Sequence, residues 1–310
     1  MAVFLGIDTS NYTTSLALFD DEKGSDISVR RLLPVKEGEL GIRQSDAVFH
    51  HNRQLPELFE ELMENYSGKI TAIGVSEKPR PIEGSYMPCF TVGVGYARVL
   101  SKALSVPVYN FTHQHGHIVS ALYSVDRLDL IGKQFLSFHI SGGTTEALLV
   151  DKNFNITLVA NTLDLNAGQA VDRVGLMLGC KFPCGKELEQ IALRYEGTVK
   201  VHPTLKEGNC CLSGLENICK KMLSKGESKE KTAYFCLKYI EETLYKMAIS
   251  LKEKYGNLPI IFAGGVMSNK IISTSMKTRL DCIFAKPEYS TDNGVGIACL
   301  AEKAWKNAND

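Results

Sequence analysis

LGIDTSNYTTSLALFD (residues 5–20) and LSFHISGGTTEALLVD (residues 136–151) follow one pattern. In the first, a short apolar run over 2–7 meets Asp8-Thr9-Ser10-Asn11, and 13–19 resumes an alternating apolar stretch. That reads as strand, polar turn, strand. In the second, 135–140 runs into Ser141-Gly142-Gly143-Thr144-Thr145, and 146–150 leaves as another strand. Two copies of one hairpin in a 310-residue chain indicate an internal duplication, which divides the chain near residues 118–134. Helical spacing is predicted over 54–66 and 91–105 and strands over 70–75 and 106–109, with 38–51 the most irregular part of the first lobe. The second half reads as helices over 168–178, 186–195, 229–255 and 292–305, and strands over 259–263 and 282–285. The alternation predicts an α/β architecture of two lobes.

Composition narrows the class. Lysine plus arginine equals aspartate plus glutamate at 35 each, so the whole molecule exerts no long-range pull on polyanions. The densest basic stretch, Lys220 to Lys231, is interrupted by Glu227 and Glu230 and reads as a solvated helix face. Nine cysteines without a CxxC pair suit reduced thiols and a cytoplasmic location. No apolar stretch approaches a membrane span and no basic leader opens the sequence, so neither secretion nor a membrane partner is expected.

His113-Gln114-His115-Gly116-His117 places histidines at i and i+4, which on a helix puts His113 and His117 on one face. They read either as two ligands of one cation or as two hydrogen-bonded core histidines; a site needs a third ligand. A metallopeptidase reading needs glutamate after the first histidine, and Gln114 stands there. Ser141-Gly142-Gly143-Thr144-Thr145 offers unobstructed backbone amides and hydroxyls to a phosphate or carboxylate, with Asp8-Thr9-Ser10 as its counterpart in the first lobe; both also read as plain hairpin tips. Gly264-Gly265 ends an apolar strand before a helix capped by Ser268 or Asn269, where a flat ligand could approach the backbone. Asp292 precedes the last helix and reads as its N-cap or as the missing metal ligand.

Taken in order, GIDTS at 6–10, His113 with His117, SGG at 141–143, AGQAVD at 167–172, PCG at 183–185, LSGL at 212–215, AGGVMSN at 263–269 and TDNG at 291–294 resemble the catalytic subunit of the tRNA threonylcarbamoyladenosine synthase family. That family, once described as glycoproteases, lies in the actin-like ATPase superfamily. The resemblance implies two duplicated lobes, 1–125 and 126–310, with the helix over 292–305 packing back on the first and a nucleotide site in the cleft between them. It implies that His113, His117 and Asp292 bind one divalent metal, iron or zinc. It also implies an adenine nucleotide (threonylcarbamoyl-AMP, AMP or ATP) with Asp172, Gly185, Glu189 and Asn269 at its adenosine and His139, Ile140, Ser141, Gly142 and Gly143 under its phosphate. Asp8, Thr9, Ser10, Gly264 and Gly265 complete the expected nucleotide set. The implied reaction is transfer of a threonylcarbamoyl group to an adenosine of tRNA, with a related actin-like paralogue and a small ATPase as partners. The alternative is a non-catalytic or differently specific nucleotide-binding paralogue. This sequence departs from the family pattern at several positions: Asp8 to Thr14 for ETSCDET, His115 for the glutamate of HxEGH, Thr144 for the histidine of SGGHT, Leu165 and Gln169 for carboxylates of DDAAGE, and Pro79-Arg80-Pro81 for GPG.

Overall fold

The computed structural model describes residues 2–10, 12–35, 42–64 and 66–309. The chain divides into two compact units, Met1–Leu128 with Thr291–Asp310, and Asp129–Ser290.

In unit 1 the strands are β1 (Val3–Ser10), β2 (Thr13–Asp20) and β3 (Ser25–Leu32), followed by α1 (Gln44–Glu64), β4 (Ala72–Lys78), α2 (Phe90–Leu104), β5 (Val108–Thr112) and α3 (His113–Tyr123). The sheet order is β3-β2-β1-β4-β5, with β1, β2 and β3 antiparallel and β4 and β5 parallel to β1. β1 is buried along its whole length, because both of its faces are covered. Leu5 and Ile7 pack with Leu55, Leu58 and Leu62 of α1 and Val92 and Ala97 of α2.

Unit 2 repeats the plan. It contains β6 (Phe135–Ile140), β7 (Thr145–Val150), β8 (Ile156–Asn161), α4 (Ala167–Leu178), α5 (Gly185–Ala192), the short pair β9 (Leu205–Lys206) and β10 (Asn209–Cys210), α6 (Ser213–Ser224), α7 (Lys229–Tyr255), β11 (Ile260–Ala263), α8 (Lys270–Arg279) and β12 (Ile283–Phe284). Its sheet order, β12-β11-β6-β7-β8, is that of unit 1 read from the other edge, with the same two parallel and two antiparallel pairings. One core joins Leu136, Phe138 and Phe262 of the sheet to Val174 of α4, Leu237, Ile240 and Leu244 of α7 and Met276 of α8. The chain then returns to unit 1 as α9 (Val295–Asn309), which lies on the sheet face opposite α1 and α2: Gly6 and Gly74, paired across β1 and β4, both meet it.

The duplication read from the two hairpins is therefore present as two sheets of one topology. Three local readings are corrected. β1 continues through Ser10, so Asp8-Thr9-Ser10 is buried strand and not an exposed turn; Asn11 lies outside the described residues. α1 begins at Gln44, ten residues before the periodicity suggests, because the buried position His51 is polar and interrupts an inward stripe of Ala47, Leu55, Leu58 and Leu62; residues 38–41 lie outside the described residues. α9 begins at Val295, and it is the Asn293 side chain, not Asp292, that accepts the Val295 N–H at 3.1 Å. No described helix is long and apolar enough to cross a membrane.

Candidate functional site

α3 opens at His113 because Thr112, in extended conformation, caps it by accepting the His115 N–H. His113 and His117 then stand one turn apart with ring centroids 4.3 Å from each other. Asp292, on the segment that leads into α9, turns its Oδ1 to both: His117 Nε2 is 3.1 Å away and His113 Nε2 3.4 Å. One nitrogen from each histidine and one Asp292 oxygen all lie within 4.8 Å of one another. Two imidazoles and a carboxylate at this spacing suit a cation with open positions for water or substrate. Among the described residues this is the group of histidine, cysteine and carboxylate side chains that could hold a metal.

The charges in this cluster sustain one another. Burial pushes the Asp292 carboxyl up, but hydrogen bonds from His113 and His117 outweigh it and hold the group well below the ordinary 3.8. Burial likewise opposes ionisation of Asp8, yet the His113 charge and hydrogen bond lower it. Burial alone would neutralise His113; the Asp8 charge and the Asp292 hydrogen bond instead raise it from 6.5 to about 10. With no metal bound, the stabilisation from His113 is complete below 6.5 and lost as pH climbs towards about 10. That from Asp8 and Asp292 is complete above 3.8 and lost as pH falls below it. His51, lowered by burial to about 4, adds stability that is lost as pH falls from 6.5 towards 4, so metal-free unit 1 is expected to be most stable near pH 6.5. Trp305, the single tryptophan, lies 5.8 Å from Phe4 in unit 1 and reports its unfolding. The urea midpoint followed through Trp305 should fall between about pH 6.5 and 9, and His113→Gln should flatten that fall.

The other expected site residues fall into two groups. Thr9 and Ser10 lie in β1. The Thr9 hydroxyl donates to the Cys89 carbonyl at 3.0 Å and accepts from Gly93 N–H at 3.2 Å, so it holds α2 against the sheet. Ser10 is almost fully buried. The remainder gathers in unit 2 around the C-terminal ends of the adjacent parallel strands β6 and β11, where His139 pairs with Ala263. From Ile140 the chain enters the Ser141–Thr144 turn, closed by Ser141 N–H on the Thr144 carbonyl at 2.7 Å and by Thr144 N–H on Ser141 Oγ at 3.2 Å. Gly142 and Gly143 stand with open space beside them. Gly168, in the first turn of α4, donates to the Ser141 carbonyl at 3.1 Å, which sets the N-terminus of α4 on this loop. Asp172 accepts the Cys184 N–H at 2.8 Å and so fixes Gly185 at the start of α5. Glu189 accepts the Lys270 N–H, and Asn269 caps α8 by accepting from Ile272 N–H at 3.1 Å. Gly264 closes the circuit: its φ of 101° and a virtual Cβ 2.7 Å from the Ile140 carbonyl carbon admit only glycine. Backbone amides and a helix N-terminus at the strand ends, with the carboxylates of Asp172 on α4 and Glu189 on α5, form a setting for an anionic nucleotide.

Several side chains around the clusters escape a reading by motif. Thr13 donates to Asp292 Oδ2 at 3.2 Å, Ser76 donates to Asp8, and Thr14 joins buried His51 (Nδ1 at 2.8 Å) to Gln54. The signal is in the sequence: Asp8, Thr9, Ser10, Thr13, Thr14 and Ser15 are polar in two central strands, and all are buried. Two departures from the family motif are absorbed structurally, since Leu165 joins the core and Gln169 completes a capping box with Asn166. His115 bonds through Nδ1 to Thr112 Oγ1 at 2.8 Å, at the mouth of α3.

Two units of one β-β-β-α-β-α-β plan define an actin-like ATPase fold, here with a histidine–carboxylate cluster in the first unit. Solved structures bear out the fold. Full-length HypF in its phosphate- and nucleotide-bound form matches with a TM-score of 0.58 and 14% identity over 97% of this chain and 55% of its own, so this chain spans about half its length. Component A of the Acidaminococcus fermentans (R)-2-hydroxyglutaryl-CoA dehydratase matches at 0.55 and 16% over 98% of this chain and 99% of its own. The chain belongs to the tRNA N6-adenosine threonylcarbamoyltransferase family, whose model matches residues 34–299. A protein of that name from Thermosipho melanesiensis is 28% identical over 324 residues, covering 99% of this chain and 96% of its own.

Proposed function

We propose that this chain is a metal-dependent transferase that moves a threonylcarbamoyl group from threonylcarbamoyl-AMP to the exocyclic amine of an anticodon-loop adenosine in tRNA. The observation that carries the reading is the His113–His117–Asp292 cluster, complete in a chain of this family. Those three residues would hold one iron or zinc ion, for which two imidazoles and a carboxylate are suitable donors. When bound, the ion supplies Lewis acidity and an anchoring point for the threonylcarbamoyl group.

The chain's own residues do the rest. Gly142 and Gly143, with the α4 N-terminus behind them, take the phosphate through backbone amides. Asp172 and Glu189 each spend one oxygen inside unit 2 and offer the other to the adenosine, beside Gly185, Gly264, Gly265 and Asn269. The amine nitrogen attacks the carbonyl carbon, the bond from that carbon to the phosphate oxygen breaks, AMP leaves with the electron pair, and the nitrogen gives up a proton. Amides fixed on the departing phosphate favour this step because they are already in place when its charge develops. A related actin-like paralogue and a small ATPase are the proposed partners, and nine free cysteines support a reducing compartment, the cytoplasm. The completeness of the ligand set speaks against a purely scaffolding paralogue.

Reconstitution tests the reading. The purified chain, given its metal, threonylcarbamoyl-AMP from the family's adenylate-forming enzyme, the partner subunits and unmodified tRNA, is expected to yield threonylcarbamoyladenosine, detected by mass spectrometry of the nucleosides. Unmodified tRNA from protein that holds both metal and ATP overturns it.

A further inference from the structure

We propose that Asp8 and Thr13 are positioning residues, an outer shell that fixes which atoms His113 and Asp292 present to the metal; this rests on the metal reading above. His113 has two ring nitrogens and uses both. Nε2 faces Asp292 Oδ1 at 3.4 Å, and Nδ1–H donates to Asp8 Oδ1 at 3.1 Å. Asp8 therefore sits behind the imidazole, away from the point where the three ligand atoms converge, and it is not one of that group. A carboxylate there locks the ring's orientation and tautomer and makes the ligating nitrogen more basic. Asp8 can do this because it is itself immobile: it is fully buried in central strand β1, and Ser76 donates to the same oxygen that His113 uses.

Thr13 does the matching work on Asp292. A free carboxylate rotates and can offer either oxygen. Here Oδ1 faces both Nε2 atoms, while the Thr13 hydroxyl holds Oδ2 at 3.2 Å. Thr13 is held by its pairing with Ser10 at the end of the β1–β2 hairpin, so the strand that carries Asp8 also sets Thr13. Both positions lie in the DTSNYTT stretch, where the family motif has glutamates at 8 and 13. In this chain one is shortened and the other replaced by a neutral hydroxyl, so the outer shell carries one carboxylate where the motif would supply two.

Zinc affinity, measured on the full metal-free chain by competition with a chromogenic chelator, tests the assignment. Asp8→Asn is expected to weaken zinc binding about 10–100-fold and Thr13→Val about tenfold, with Thr13→Ser close to wild type because the hydroxyl returns. In zinc-loaded wild type, long-range 1H–15N spectra should show His113 protonated at Nδ1 and metal-bound at Nε2, and Asp8→Asn should lose the slowly exchanging Nδ1 proton. ADP affinity should stay within about twofold in all variants, as Asp8 is fully buried in unit 1 and the proposed phosphate and adenosine residues lie in unit 2. Zinc affinity of Asp8→Asn and Thr13→Val within about twofold of wild type, or zinc on His113 Nδ1, overturns the outer shell while leaving the metal site standing. Wild type that takes up no zinc or iron overturns the metal reading and this assignment with it. Because buried Asp8 could matter to folding, the Thr13→Val and Thr13→Ser pair decides the question alone if Asp8→Asn unfolds.

Discussion

Asp292→Ala will leave a folded protein that holds no metal and modifies no tRNA. Asp292 is the proposed ligand on which the cluster converges, since its Oδ1 lies within 3.4 Å of both histidine Nε2 atoms. Alanine removes the sole carboxylate of the set, and two imidazoles one helical turn apart bind a divalent ion too weakly to retain it through purification. A bound metal is worth several kcal/mol to a developing negative charge, so the rate of transfer should fall about a thousandfold or more. His113→Ala should do the same. The substitutions should not unfold unit 1, whose apolar core lies on the other side of β1 against α1 and α2. Metal analysis of wild type, His113→Ala and Asp292→Ala, beside the tRNA assay, checks this. Equal metal in all three would sink the site; metal lost with transfer intact would leave the site real but unconnected to the reaction.

How much of this could be read beforehand depends on which rule each segment obeys. The duplicated hairpins were legible because each repeats one order of strand-patterned run, polar turn and second strand-patterned run, and α7 because 27 residues of helical spacing are capped by Ser228 and stopped by Gly256. The edge strands β3 and β8 were not, since each has a largely exposed face and little apolar content to mark it. α6 was legible only as the solvated helix face carrying Lys220 and Lys221, and its start at Ser213 was not, because Leu215 and Cys219 are its buried residues and leave little inward stripe to mark it. The more telling failure is at Asp8-Thr9-Ser10. By local chemistry these residues form a turn, yet the fold extends them as a fully buried strand end. A local preference overridden at a cost in desolvation is what a functional position shows, and the same holds for His51, whose burial pushes it down to about 4 and so keeps it neutral inside α1. The trio His113, His117 and Asp292 was legible only in part: the i, i+4 spacing gave the pair, but no spacing links residue 117 to 292. That link is made by α9 returning to unit 1.

The return works only if α9 can touch α3, and there glycine decides. A Cβ on Gly296, in the first turn of α9, would overlap the Gly116 carbonyl oxygen of α3 and stand 2.8 Å from both Gly116 C and Ser120 N. Those are backbone atoms, which cannot swing aside as a side chain would. Gly296→Ala must therefore push α9 and α3 apart, and overpacking of this kind costs about 3 kcal/mol, the upper part of its usual range. The cost reaches the metal site directly. Gly116 directly precedes His117, and Asp292 lies four residues before Gly296, so the separation draws Asp292 Oδ1 away from both Nε2 atoms. Gly296→Ala is expected to unfold at lower urea by Trp305 fluorescence and to bind zinc at least about tenfold more weakly. Gly95→Ala supplies the contrast: Gly95 is exposed inside α2 with nothing near its missing Cβ, so alanine there should stabilise by about 0.5–1 kcal/mol through helix propensity and leave zinc affinity unchanged. If Gly296→Ala instead unfolds at the wild-type urea concentration and keeps its zinc affinity, then α3 and α9 can separate at no cost, and the glycine contact is not what aligns the ligands.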